Sequence, residues 1–175
     1  MPVIWLTGLP GSGKSTIADA FLKVHPDWLL LRMDEIRRFV TPQPTYSEEE
    51  RELLYRSIVY MAREFYKKGT NVIIDATANR RRWRDLARQE IKDFIEVYLR
   101  APIEVCMERE EKRKDLKGAP EEIYKKGKAG WPVPGVTVPY EEPLNPELTI
   151  DTNKVSPEEA VKMIEEVIAG TAVQK

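Results

Sequence analysis

Short, largely apolar runs alternate along this chain with longer stretches in which apolar residues return every three or four positions. The runs are Val3-Ile4-Trp5-Leu6-Thr7, Trp28-Leu29-Leu30-Leu31, Asn71-Val72-Ile73-Ile74-Asp75, residues 94–99 and Leu148-Thr149-Ile150. Their shortness and continuous apolar character predict strands buried on both faces. Between the first two, Ile17, Ala18, Phe21 and Leu22 fall at helical spacing. Leu54, Ile58, Met61, Ala62 and Phe65 predict the buried stripe of a long helix. A capping box, Ser47-Glu48-Glu49-Glu50, opens that helix, and Gly69 closes it after Lys68. Shorter helices are predicted over 35–40, 80–92, 102–114 and 121–126. A last one follows Ser156-Pro157, with the tail from Gly170 expected to fray. Strand and helix alternate throughout, so residues 1–175 read as one α/β domain with a mainly parallel sheet flanked by helices. Residues 127–146 fit neither period and are rich in Pro and Gly. A loop of that length in a compact domain predicts a lid.

The stretch Gly8-Leu9-Pro10-Gly11-Ser12-Gly13-Lys14-Ser15-Thr16 lies where the first strand ends and the first helix begins. It fits the phosphate-loop pattern G-x-x-x-x-G-K-[ST]. Glycines there let backbone N–H groups close on phosphates, and the helix N-terminus adds positive potential. The pattern gives ATP as the ligand, with Lys14 on the β- and γ-phosphates and Ser15 as a ligand of Mg²⁺. Asp75 ends an apolar strand, as the acidic partner of such loops does, and is a second candidate for Mg²⁺. Asp34 stands at the end of the second strand with Arg37 one helical turn on. It suits either a general base for an acceptor hydroxyl or a metal ligand. Arg109 is a candidate for closing over the phosphates. Of Arg80, Arg81, Arg82, Arg84 and Arg88, two or three at most share a helix face, so most are expected in solvent. Tyr46 and Trp131, outside any periodic segment, are candidates for stacking on a base. His25 has no motif around it, and Cys106 reads as core.

Composition narrows the classes. A net charge of −1 gives no global pull toward nucleic acid or a membrane surface. The single cysteine rules out an internal disulfide. No apolar run approaches a membrane span and no signal-peptide pattern opens the sequence, so a cytoplasmic protein is expected. A homodimer is compatible with the chain.

The sequence resembles the adenylylsulfate kinases, a family of P-loop kinases. The resemblance rests on the phosphate loop with Ile17-Ala18, on Tyr46-Ser47-Glu48-Glu49-Glu50-Arg51, and on residues 95–97 with Ala101-Pro102-Ile103-Glu104-Val105-Cys106 and Arg109. It extends through Tyr124-Lys125-Lys126-Gly127-Lys128-Ala129-Gly130, and then Pro139-Tyr140-Glu141 and Asn145-Pro146-Glu147-Leu148 ending in Asp151-Thr152. It implies an ATP-dependent kinase acting on the 3′-hydroxyl of adenylyl sulfate. Asp34 would then be the catalytic carboxylate, with Arg37, Tyr46 and Arg51 on the acceptor and Tyr46 stacking on its base. Asn79 and Trp131 complete the expected acceptor set. Where the family carries Asp-Gly-Asp, this chain has Arg32-Met33-Asp34. Val133-Pro134-Gly135-Val136-Thr137 replaces the family's lid lysine and stacking phenylalanine, and Asn79-Arg80 replaces a Ser-Pro pair. The alternatives are a kinase for another hydroxyl, on a nucleoside, an RNA end or a small metabolite, and a nucleotide-binding switch without turnover.

Overall fold

A computed structural model describes residues 1–113, 117 and 120–173. Its sheet has the order β2-β3-β1-β4-β5, with every neighbouring pair parallel. The strands are β1 (Val3–Thr7), β2 (Leu29–Arg32), β3 (Val72–Asp75), β4 (Phe94–Arg100) and β5 (Leu148–Asp151). The apolar runs form strands because both sheet faces are covered. On one face Val3, Trp5 and Ile74 pack against α3 (Glu48–Lys67) and α4 (Arg81–Glu90). On the other, Ile4, Leu6, Ile73 and Ile95 meet α1 (Lys14–Val24) and α7 (Pro157–Val173). A parallel sheet needs this double cover, and each fully buried Leu, Ile or Phe contributes about 1.5–3 kcal/mol.

The helices depart from expectation in informative places. Strand β2 runs one residue further than its apolar run, to Arg32, whose side chain is drawn inward by carboxylates. Helix α2 (Met33–Val40) begins two residues early, which places Asp34 in its first turn. Phe65 does not join the stripe of α3 but is 40% exposed, and Tyr55 is buried there instead. Helix α5 (Ile103–Glu111) stops short of residue 114, which lies outside the described residues; α6 (Ile123–Lys128) begins two residues late. Helix α7 runs on through Gly170 to Val173, opened by a complete capping box between Ser156 and Glu159. His25 bonds Glu165 at 2.8 Å and lies against Phe21, joining α1 to α7.

The largest departure is Arg84, expected in solvent and found 1% exposed. It donates to Thr7 Oγ1 and Ala78 O at 3.0 Å and to Glu141 O, and pairs with Glu96 at 2.9 Å. One arginine thereby ties together the ends of β1 and β3, the strand β4, and the loop entering β5. Residues 129–147 hold one isolated bridge, Pro134 to Val138, and no helix or strand. They are pinned where Val133 packs with Cys106 and Tyr124.

Candidate functional site

The strand order changes direction around β1, which places the first loop at a topological switch point, the usual ligand crevice of such sheets. Two glycines make that loop. Gly11 and Gly13 sit at φ 78° and 101°, in the left-handed region. A Cβ on Gly11 would fall 2.4 Å from the Cys106 carbonyl oxygen, so both conformation and space demand glycine there. Lys14 Nζ folds back onto the carbonyls of Gly8 (3.1 Å) and Leu9 (3.0 Å). Burial holds its pKa below the usual lysine value, against the opposing charges of Asp75, Asp34 and Glu110. An ammonium desolvated against carbonyls is electrostatically prepared for an anion.

Ser15 Oγ donates to Asp75 Oδ2 at 2.7 Å, and the same oxygen accepts from Arg32 Nε at 2.8 Å. Asp75 is 3% exposed. A hydroxyl whose proton is held by a carboxylate turns its lone pairs outward, and hard oxygen donors of this kind suit Mg²⁺. Asp34 faces the same cavity from α2. Burial, and then the charge of Asp75, push its carboxyl pKa up, while Lys14, Arg37 and Arg113 pull it down.

The other end of the cavity is built by the turn before α3. Ser47 caps α3 by accepting from Glu50 N at 3.1 Å. The reciprocal arm of the capping box lands elsewhere: the Glu50 carboxylate takes Thr45 N at 2.7 Å and Tyr46 N at 3.3 Å, and pairs with Arg37. Tyr46 is thereby held at φ 57°, a costly conformation for a bulky residue. The Arg37 guanidinium lies 4.6 Å over the Tyr46 ring, and the Trp131 ring meets that ring at 5.6 Å and 44°. Arg51 donates to Tyr46 O, Asn79 Oδ1 and Pro132 O.

One cavity of about 470 Å³ joins both ends. Pro10, Gly11, Gly13, Lys14, Ser15 and Thr16 line it at one end, and Asp34, Arg37, Tyr46, Arg51 and Trp131 at the other. Gly8, Leu9 and Ser12 form the loop but stand behind the wall. Asn79 is corrected from an acceptor contact to a support: it does not line the cavity, and its amide holds Arg51 and Pro139 O. Arg109 lines the cavity but is committed, donating to Gly11 O (3.3 Å), Thr152 Oγ1 (3.0 Å) and Thr152 O (2.8 Å), so here it braces the phosphate loop.

The chain matches the family described as adenylylsulphate kinase over residues 1–151. It belongs to that family. A probable adenylyl-sulfate kinase of Archaeoglobus fulgidus is 41% identical over 158 residues, covering 87% of this chain and 96% of the relative. One of Halalkalibacterium halodurans is 39% identical over 171 residues, covering 93% and 80%. Among solved structures, the Mycobacterium tuberculosis APS kinase in complex with AMPPNP and APS superposes with a TM-score of 0.83 at 25% identity, over 96% of this chain and 97% of that one. The P-loop kinase fold and the kinase class expected from the sequence are thus borne out.

Residues in this adenylylsulphate kinase site that sequence reasoning passed over are Arg32, Glu50, Arg113, Lys117 and Thr152. Glu50 carried a signal, since it sat in the capping box. Arg32 carried one too, as a charged residue continuing an apolar strand. Thr152 carried one as the end of the stretch that begins at Asn145; Arg113 and Lys117 lie far from the phosphate loop in sequence and had none. Among the described residues, no helix is long and apolar enough to cross a membrane.

Proposed function

We propose that this chain transfers the γ-phosphoryl group of ATP to the 3′-hydroxyl of adenylyl sulfate. The observation that carries this reading is the single cavity with a phosphate loop at one end and Asp34, Arg37, Arg51 and an aromatic pair at the other. The acceptor oxygen bonds to the γ-phosphorus, the bond to the β–γ bridging oxygen breaks, ADP leaves, and the hydroxyl proton passes to the Asp34 carboxylate. Mg²⁺ bound to the nucleotide would be held by Ser15 Oγ, with Asp75 holding the Ser15 proton; the ion neutralises charge on the phosphates. Lys14 supplies a second positive charge there. Arg37 and Arg51 set a cationic field suited to the acceptor's phosphosulfate.

Tyr46 and Trp131 are in contact. A base between two rings needs about 7 Å between their centroids, twice the ~3.5 Å contact distance. The base therefore enters by parting them, with Trp131 moving because residues 129–147 act as the lid that excludes water. The test is ADP release with and without adenylyl sulfate, with the product's mass measured. ADP release that ignores adenylyl sulfate, or a product without the added phosphate, defeats the reading.

A further inference from the structure

The relevant feature is the guanidinium at the end of β2. Arg32 is 7% exposed, and each of its nitrogens meets a carboxylate from a different element. Nε donates to Asp75 Oδ2 of β3 at 2.8 Å, Nη2 to Asp19 Oδ1 of α1 at 2.6 Å, and Nη1 to Glu35 Oε1 of α2 at 3.1 Å. Asp19 also pairs with Lys117. This cation sits on the same carboxylate oxygen that accepts the Ser15 hydroxyl.

The geometry matters for what Ser15 can do. A serine hydroxyl ligates a cation through its lone pairs, so its proton must be held by an acceptor fixed in place. Asp75 Oδ2 is that acceptor, and a carboxylate free to rotate would hold it poorly. Arg32 Nε is the second donor to Oδ2, and Arg32 is itself anchored at both other nitrogens. The order of control therefore runs from Arg32 to Asp75 to Ser15. A plain core ion pair would need one acceptor; the planar fork here is spread over three elements that converge on the phosphate loop.

We propose that Arg32 is a positioning residue for magnesium: by fixing Asp75 Oδ2 it orients the Ser15 hydroxyl and sets how much Mg²⁺ strengthens nucleotide binding. The inference rests on the reading of Ser15 as the magnesium ligand. Partners one step removed from a metal typically change its affinity by about 10–100-fold when lost.

The test measures AMPPNP affinity calorimetrically, in excess MgCl₂ and in EDTA, for wild type, Arg32→Lys and Arg32→Met. Urea unfolding is recorded in parallel. The expected result is that affinity in EDTA stays at the wild-type level, since Lys14 and the loop amides are untouched. The gain from Mg²⁺ falls by about tenfold or more in both variants, because lysine keeps the charge and lacks the fork. Lower stability with the full magnesium gain would make Arg32 a structural ion pair and overturn the proposal. Should the Arg32 variants fail to fold, Asp19→Asn with Glu35→Gln decides. It leaves the bond to Asp75 but strips the charge from the two anchors and so weakens them, and the magnesium gain should fall by about threefold, a fraction of the full loss. An unchanged gain in that variant overturns the proposal. If the wild type itself binds AMPPNP equally in MgCl₂ and EDTA, the magnesium reading of Ser15 fails and the inference with it; a gain present in wild type and retained in every variant sinks the inference alone.

Discussion

At the scale of single residues, the site works by placing charges where water does not screen them. Lys14 is held by two carbonyls and, among the described residues, hydrogen-bonds no carboxylate, so its charge is available to phosphate. Lys14→Ala should abolish transfer and leave the helix intact, since alanine is the best helix former. A loss of less than about tenfold in rate, ~1.4 kcal/mol in barrier, would mean the loop amides suffice. In the proposed mechanism Asp34 takes the acceptor proton. Asp34→Asn is expected to lower kcat by about 10²–10⁴-fold with nucleotide affinity retained. Stopped activity together with weakened nucleotide binding would instead assign Asp34 to the metal. The pH profile gives an independent check. Asp34 must be ionised to take a proton, so kcat rises with pH through its pKa. Burial and Asp75 raise that pKa, which places the acid limb above the ordinary carboxylate range. Arg37 pulls it down, so Arg37→Met should move the limb to higher pH; an unmoved limb would mean that another group sets it.

At the scale of elements, the start of α3 joins stability to recognition. The Ser47 cap alone is worth about 1 kcal/mol. Glu50 does more, because its carboxylate holds Thr45 N, Tyr46 N and Arg37 together. Burial would raise the Glu50 pKa, but the Thr45 hydrogen bonds and the charge of Arg37 bring it below the usual value, so it is ionised in the working range. Glu50→Gln weakens charge-assisted bonds worth about 1.5–3 kcal/mol. The expected outcome is a KM for adenylyl sulfate raised about tenfold or more, with the KM for ATP unchanged. Equal changes in both constants would show a general loss of structure. The pattern S-E-E-E was legible as a cap. Its second use was not, because the carboxylate reaches past the cap residue to a turn whose shape depends on Arg37 and Arg51.

At the scale of the whole molecule, two of the contacts that hold the long loop of residues 129–147 to the body are buried and central. Val133 packs beside Cys106 and Tyr124, and Arg84 grips Glu141 O from beneath the sheet end. Arg84→Met leaves Glu96 without its closest buried partner, and breaking a buried pair costs about 3–5 kcal/mol. Urea unfolding should record that loss, and adding Glu96→Leu should recover much of it; an additive double variant would mean the two residues do not interact. Trp131→Ala removes one ring of the aromatic pair and should raise the KM for adenylyl sulfate about fivefold, from a stacking energy of ~1 kcal/mol. A KM that does not move would place the base elsewhere in the cavity.

The sequence by itself determined the alternation of strand and helix, the parallel sheet, and the phosphate loop with Lys14 and Ser15 at its end. These are local properties: apolar period, glycine at obligatory turns and an eight-residue motif survive any change in the distant chain. Only the tertiary structure decided which polar residues serve the cavity and which serve the scaffold. Arg51, Asn79 and Arg84 are all polar residues beside one another in the fold, and nothing in their local spacing separates a wall residue from a support. Their partners, Pro132, Pro139 and Glu141, come from a loop some sixty to eighty positions away, as the hydrogen bonds between them record. The same holds for Arg32, whose three carboxylates lie on three different elements. A buried cation is tolerated only where its neutralising groups converge, and convergence is a property of the folded chain.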